Sequence, residues 1–547
     1  MSTTVLTGRE RLQKAFRCEV ADRAPWVPFV GCHGGALLGL TATDYLKSTE
    51  QLIAGVEAAI ARYQPDGIPV AFDLQIEAEV LGCELNWANQ TPPSVRNHPL
   101  ANGQRLEELQ VPTAACGRIK TVLAAAQELC RRHPQVAFYG LVTGPFTLAL
   151  HLLGTEIFMQ MFDAPDYVSR VMGFCRDVCT AMSGYYLDAG CPIVAMVDPM
   201  TSQIGPDQFR EFVTPFASRV FESIRQRGGL SSFFVCGHAQ QNVEAMCDCG
   251  PDNISVDENI PLQYVRDVCL PRGVSFGGNL QLTSVLLLGK PIDAQRNALA
   301  CLEIGGERGF VLAPGCDLPY ATPPKNLEAV AQVVLDAYQR EVVKASVAEQ
   351  SDDDRLDMRE YGQADKVIVD IITLDSEACA PCQYMVDAVK QVAPEFEGIV
   401  VWREHKIKYR ESLVFMTSLM VRNVPTICID GAIRFVSRIP PRDQLIAAIQ
   451  DRINEKFRMK IARRKASLYV LGDGGAECQE LMQRCERAVA ELGADAQVNM
   501  LTDPASIASY GVAPVQTPAV MIARYVLKST RRVPDVAIIK EWLKDIQ

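Results

Sequence analysis

No run of this sequence is long and apolar enough to cross a membrane. The best candidate, Leu141 to Gly154, is broken by Thr143, Pro145, Thr147 and His151 and falls well short of the ~20 apolar residues that a span needs. The first thirteen residues, Arg9, Glu10 and Arg11 among them, also lack the apolar core of a secretion signal, so a cytoplasmic protein is expected. No block of Lys and Arg interleaved with aromatics occurs. With 54 basic against 65 acidic residues the net charge is −11, which argues against nucleic acid as a partner. Histidine is scarce, at six in 547 residues. Cysteine is not: there are nineteen, and in a chain without an export signal they read as thiols, metal ligands or redox pairs rather than a disulfide framework. The 48% hydrophobic and 22% charged residues are those of a globular chain, long enough for roughly three to four domains.

From Trp26 to about residue 320, short β-branched or apolar runs alternate with longer helical patterns, the mark of repeated βα units on a parallel sheet. The expected strands are Trp26 to Gly31, Gly67 to Asp73, Val136 to Val142, Pro192 to Asp198, Ser231 to Cys236, Asn253 to Asp257, Val274 to Asn279 and Phe310 to Gly315. Eight parallel strands predict an α/β fold of the (β/α)8 TIM-barrel type over residues 1–343. Helices are expected between them, for example Thr43 to Tyr63 and Ala164 to Ala189, the latter with Pro165 just inside its start. Residues 344–365, with Asp352, Asp353 and Asp354 and few large apolar side chains, read as an acidic linker. From Lys366 the order βαβ then ββα predicts a thioredoxin-like domain over 366–456, and the same order recurs in a degenerate repeat over 457–547.

In the first repeat Cys379-Ala380-Pro381-Cys382 follows a strand and opens a helix. A thiol at a helix N-terminus is favoured as thiolate by the macrodipole and the free N–H groups, which makes Cys379 the expected nucleophile and Cys382 the resolving thiol. Pro425, in Val424-Pro425-Thr426, resembles the cis-proline beside the thioredoxin dithiol. A zinc pair or unreactive thiols is the alternative. In the second repeat Gly475 takes the place of the first cysteine of small thioredoxins, and only Cys478 remains. Cys485 lies about two helical turns further on, too far for a disulfide within a regular helix. This repeat is expected to pack against the first rather than to cycle a dithiol.

In a barrel of this kind the reactive groups sit at the C-terminal ends of the strands. Those ends hold Cys32 and His33, Asp73 with Glu77, Thr143, Asp198, Cys236 with His238, Asp257, Asn279, and Cys316 with Asp317. Thiolate, imidazole and carboxylate groups together suit a borderline-soft cation such as Zn2+. An isolated cysteine is most often a small buried hydrophobe, but Cys236 and Cys316 both stand in glycine-containing turns at strand ends.

Several motifs occur in order along residues 5–342: Gly8-Arg9-Glu10-Arg11-Leu12 with Asp22-Arg23-Ala24-Pro25, Glu77-Ala78-Glu79 with Gly82-Cys83, Thr143-Gly144-Pro145-Phe146-Thr147, Asp198-Pro199 with Ile204-Gly205-Pro206, Val235-Cys236-Gly237, Gly278-Asn279 and Ala313-Pro314-Gly315-Cys316-Asp317. Together they resemble the uroporphyrinogen decarboxylase superfamily and, within it, the methylcobamide:thiol methyltransferase branch. Trp26 to Gly35 contains no arginine, so the carboxylate-holding motif of the true decarboxylases is missing. The resemblance implies a zinc ion, bound by His-x-Cys after the fifth strand and Cys after the eighth, that takes a thiol as thiolate for attack on the methyl group of a methylcorrinoid. Cys236 and Cys316 match the two thiolate ligands. The histidine position is Phe234, which shares a strand face with Cys236 and cannot bind metal.

The zinc ligands implied here are therefore Cys236 and Cys316 completed from His238, His33 or a carboxylate such as Glu77. Asp198 and Glu77 are expected to serve catalysis with Cys379 and Cys382, and Asp73, Asn279 and Asp257 to bind cofactor. The chain has no corrinoid-binding signature of its own, so the corrinoid is expected on a partner protein or free, with a small thiol as acceptor and a thioredoxin-reductase-type protein as a possible electron donor. Two other functions compete: a thiol:disulfide redox or partner-binding protein with a non-catalytic barrel, and a decarboxylase of a tetrapyrrole-like acid using Asp73.

Overall fold

The computed structural model describes residues 6–345, 361 and 366–544, apart from 378, 410, 413–414, 417–418, 420, 422, 462–465, 495 and 523–525. Seven parallel strands run in sequence order: β1 (Gly67–Pro69), β2 (Ala137–Thr143), β3 (Ile193–Val197), β4 (Leu230–Val235), β5 (Asn253–Val256), β6 (Ser275–Leu280) and β7 (Phe310–Pro314). All but the first residue of β4 are buried, as a parallel sheet covered by helices requires. The first expected strand, Trp26 to Gly31, shrinks to a bridge at Trp26. Val27 N–H donates to Leu312 O at 2.9 Å and Leu312 N–H to Pro25 O at 2.9 Å, while Asp66 N–H donates to Trp26 O at 2.9 Å. This segment thereby joins β7 to the start of β1 and closes a (β/α)8 barrel. Pro25 and Pro28 explain its brevity, since neither has an N–H to extend a ladder.

At the end of the barrel opposite the strand C-termini, Asp66 accepts from Arg11 and from Arg23 Nη1 (2.6 Å) and Trp26 N–H (2.8 Å), and Arg11 Nε pairs with Asp22 at 2.6 Å. The two N-terminal arginine motifs thus hold the first helix and the closing segment to β1. Phe29, Phe72, Tyr139, Leu141, Val197, Phe234 and Val311 fill the interior in one apolar cluster. The single helix expected from Thr43 to Tyr63 is two, Ala42–Leu46 and Thr49–Tyr63, because the Ser48 hydroxyl accepts Gln51 N–H (3.3 Å) and caps a new start. Pro165–Asp188 is one long helix, as expected.

The tail contains two four-stranded sheets of one topology, each thioredoxin-like. In the first, β8 (Val367–Thr373) pairs parallel with β9 (Val400–Lys406) and antiparallel with β10 (Thr426–Ile429), which pairs with β11 (Ala432–Val436). In the second, β12 (Ala466–Leu471) stands between β13 (Ala496–Leu501), parallel, and β14 (Ala519–Ile522), antiparallel, with β15 (Val526–Thr530) outside β14. The Val424–Pro425 and Thr517–Pro518 bonds, one ahead of each hairpin, are both cis. Packing divides the chain into two compact units: Met1–Glu349 with Asp375–Gln383, and Gln350–Leu374 with Tyr384–Gln547. Residues 344–365, the expected linker, lie mostly outside the described residues. Among the described residues no helix is long and apolar enough to cross a membrane.

Candidate active site

The C-terminal ends of the barrel strands carry a group of thiols and acids. Cys236 follows β4 and Cys316 follows β7, and their Sγ atoms lie 2.9 Å apart. Both are half-buried and pack on the aromatic cluster below them. The Cys236 thiol is pushed well up, first by its hydrogen bond with Cys316 and then by burial. Asp257 fixes the turn behind it: Oδ2 accepts Gly237 N–H (2.6 Å) and Asn259 Nδ2–H (2.7 Å), and Oδ1 accepts Asn259 N–H (3.0 Å). Gly237 has a φ of +87°, a conformation that favours glycine. Asn279 donates to the carbonyls of Asp257 (3.1 Å) and Ile260 (2.8 Å). Asp257 and Asn279, expected to bind cofactor, are thus occupied in holding two strand-end turns, and burial pushes Asp257 up to about 6.

Glu258, not singled out from the sequence, lies against the backbone just before Cys316. One oxygen accepts Leu282 N–H (3.0 Å), and Oε2 is buried without a partner, 2.0 Å from where a Cβ on Gly315 would stand. A side chain at 315 would displace the Glu258 carboxylate from this place. Burial, and then the neighbouring Asp257 charge, push Glu258 up to about 8. Asp317 is likewise raised by burial, and its Oδ1 has no partner.

On the other side of the mouth Asp73 accepts from Arg118 Nη1 at 2.5 Å, and Arg118 Nε reaches Glu79 at 2.6 Å. The Arg118 guanidinium also stands 4.8 Å from the Trp87 ring centroid. Asp73 is therefore half of a buried ion pair. Arg118 carried no signal in the sequence, because it opens a helix 45 residues beyond Asp73. Glu258 was open to discovery as the second acid of Asp257-Glu258.

Glu77 accepts both the Thr143 N–H (3.1 Å) and its hydroxyl (2.9 Å), and burial pushes it up to about 7. Asp198 has both oxygens engaged: Oδ1 accepts from Thr147 N (2.7 Å) and Oγ1 (2.6 Å), and Oδ2 from Phe146 N (3.1 Å). These donors form the start of the helix Pro145–Leu153, so Asp198 clamps that helix rather than standing free as an acid or base. Burial pushes it up to about 6. Gly144 is dictated by the same contact, since its Cβ would fall 2.3 Å from that of Asp198.

The zinc ligands expected from the sequence are not gathered. His33 is buried with Nε2 2.7 Å from Tyr63 Oη and Nδ1 3.1 Å from the Tyr320 carbonyl, so both ring nitrogens are occupied; burial pushes it down to about 4. His238 is exposed beyond Cys236. Among the described residues no group of three or more His, Cys, Asp or Glu side chains is arranged to hold a metal ion. The donor set here, two thiols without a third ligand, does not fit a zinc site. Phe234 accounts for the gap, packed with its centroid 5.3 Å from Phe29 and 6.0 Å from Phe72. Phe234→His is expected to supply the third ligand and raise zinc affinity by roughly 100-fold, measured by competition with a chromophoric chelator. Unchanged affinity would show that position 234 does not face the thiol pair.

In the first thioredoxin-like repeat Cys379 is half-buried immediately before the helix Ala380–Val392, and Cys382 is completely buried. In the second repeat Cys478 and Cys485 are both buried in the core cluster, in keeping with a packing role. A closed barrel with paired thiols and buried acids at its mouth, in a chain that continues into tandem thioredoxin-like units, is the class that these features define.

The chain belongs to the uroporphyrinogen decarboxylase (URO-D) family, whose model matches residues 7–336. A thioredoxin-domain model matches residues 467–544, the second repeat. The chain is similar to a methylcobamide:CoM methyltransferase of Methanosarcina acetivorans, 25% identical over 336 residues that cover 60% of this chain and 98% of that protein. It is also similar to a methylated-thiol–coenzyme M methyltransferase of Methanosarcina mazei, 29% identical over 286 residues that cover 50% and 74%. A solved methyltransferase structure from Methanosarcina mazei has the same barrel, with a TM-score of 0.56 at 24% identity, covering 62% of this chain and all of that one.

Proposed function

We propose that the barrel transfers a methyl group from a methylcorrinoid, carried by a partner protein or free, to a small thiol. The observation that carries this reading is the mouth itself: thiols among buried carboxylates, of which Glu77 and Glu258 are pushed up by burial to about 7 and about 8, with Arg118 already paired to Asp73 and Glu79. A porphyrinogen acid, with several carboxylates of its own, would find the Arg118 guanidinium already taken by Asp73 and Glu79; a neutral methyl group needs no such counter-charge. The similarity to methyltransferases over nearly their whole length supports the same reading.

In the reaction the acceptor sulfur attacks the methyl carbon and the cobalt–carbon bond breaks with its electron pair left on the corrinoid. The acceptor must first lose its proton. Glu258 suits that task, since its pKa near 8 nearly matches that of an ordinary thiol and one of its oxygens is unpartnered. Asp257 and Asn279 hold the turns around it, and the Arg118 pair holds the opposite wall. Zinc does not fit the donor set and is given no step. Cys379 and Cys382 are given no step in methyl transfer.

The test is a methyl transfer assay with methylcobalamin as donor and coenzyme M as acceptor. Loss of the methylcobalt absorbance in equal amount with formation of methylated coenzyme M is expected. A protein that transfers no methyl group to coenzyme M or to any of a panel of other thiols would overturn the reading.

A further inference from the structure

We propose that Cys236 and Cys316 form a reversible disulfide across the barrel mouth, and that Cys379 is the thiol that opens it. This role is independent of methyl transfer, and it gives the pair a function that the missing third metal ligand leaves open.

The first argument is distance. Two thiolates on one tetrahedral zinc, each bonded at ~2.3 Å, stand about 3.8 Å apart, whereas a disulfide bond is ~2.05 Å. At 2.9 Å the Cys236 and Cys316 sulfurs are already closer than zinc ligands and less than 1 Å from bonding. Another close thiol pair in the barrel, Cys247 and Cys269, is buried with its sulfurs 3.8 Å apart. The pair at the mouth is both nearer to bonding and nearer to solvent.

The second argument is what shares the compact unit of the barrel. Asp375–Gln383, the segment holding Cys379 and Cys382, packs within that unit. Gln383 Nε2 donates to the Val95 carbonyl at 3.0 Å, which anchors the segment. Cys379 is also near enough for its charge to oppose ionisation of both Cys236 and Cys316, although their mutual hydrogen bond and burial weigh more. The half-buried Cys379 and fully buried Cys382 have the relative exposure of an attacking and a resolving thiol.

The chemistry balances as follows. A peroxide or a small disulfide takes two electrons and two protons from Cys236 and Cys316 and leaves their S–S bond. The Cys379 thiolate attacks one of these sulfurs; the bond breaks, a mixed disulfide forms, and the released barrel thiolate takes a proton from solvent. The Cys382 thiolate then attacks the Cys379 sulfur and releases the second barrel thiolate, which is protonated in turn. Two electrons have passed from Cys379 and Cys382 to the barrel, and a dithiol reductant from solution restores the Cys379–Cys382 pair.

The test uses the full chain. The reduced protein is treated with one equivalent of diamide, alkylated, digested and mapped by mass spectrometry. In the Cys379→Ser, Cys382→Ser double variant a Cys236–Cys316 cross-link is expected, and added dithiothreitol should reduce it at least tenfold more slowly than in the wild type. The single variant Cys382→Ser, which cannot resolve, should accumulate a mixed disulfide from Cys379 to Cys236 or Cys316. Absence of the Cys236–Cys316 cross-link in both wild type and double variant would overturn the proposal, as would one zinc per chain in the purified wild type that Cys316→Ser removes. Equal re-reduction rates in wild type and double variant would overturn the part played by Cys379.

Discussion

Arg118→Ala is expected to destabilise the barrel by about 3–5 kcal/mol, the usual cost of removing one partner from a buried ion pair. Arg118 has a side chain 10% exposed, and Asp73, its partner at 2.5 Å, is fully buried. Without the guanidinium, Asp73 keeps neutral donors such as the Gln75 N–H at 2.9 Å but no cation at that distance, and Glu79 loses its own contact. The loss belongs to an uncompensated charge and not to the contact alone. Asp73→Asn combined with Arg118→Met should therefore cost much less than the two single changes added together. Calorimetry of the full chain, following the barrel transition, measures the wild type and each of these variants. A cost under ~1 kcal/mol for Arg118→Ala would show that solvent reaches the pair.

Glu258→Gln is expected to lower methyl transfer to the thiol about 100-fold, within the range usual for loss of a positioned base. It also makes a demand on pH. Glu258 is pushed up to about 8 in the folded chain, against ~4.3 for an ordinary glutamate, so between those values the folded state holds a proton that the unfolded state has lost. The stability this gives is complete below about pH 4, is lost progressively as pH rises, and is gone above about pH 8. Between pH 6 and 9 the wild type should lose about 3 kcal/mol more than Glu258→Gln. The wild-type rate should rise toward pH 8, whereas the variant's should follow only the ionisation of the acceptor. Matching stability profiles in urea titrations would remove Glu258 from the group of proton-retaining acids, and matching rate profiles would remove it as the base.

The architecture was readable where one periodicity dominates a segment. Seven of the expected barrel strands formed because each is an apolar run buried from both sides, and the expected tail strand Ala496 to Leu501 appears with those ends. The first strand failed because Pro25 and Pro28 deny it amide donors, and the helix through Ser48 failed because a cap competes with an apolar periodicity that continues past it. The site was half legible. Cys236 and Cys316 declared themselves by strand-end position and by resemblance, and the structure brings their sulfurs together. Asp198, Asp257 and Asn279 also stand at strand ends, but whether an acid or amide faces a ligand or its own backbone depends on which donors the fold brings to it. Sequence position alone does not carry that information. Arg118 shows the reverse case, a cation delivered to the mouth from a distant helix start.

The seam at Trp26 bears on how the chain is made. It joins a strand that leaves the ribosome among the earliest of the barrel to β7, whose residue 312 follows 286 positions later (312 − 26). Until then the Trp26 segment is an edge awaiting its neighbour, and an unpaired edge recruits wrong partners. The prolines that shorten this strand leave it few donors with which to do so. Asp66 meanwhile ties it to the first helix and to β1 through contacts 40 to 55 residues apart in sequence, far shorter than the span of the seam, which can form long before the barrel closes. The shortness of the ladder thus protects a nascent chain, at the expense of hydrogen bonds in the finished one.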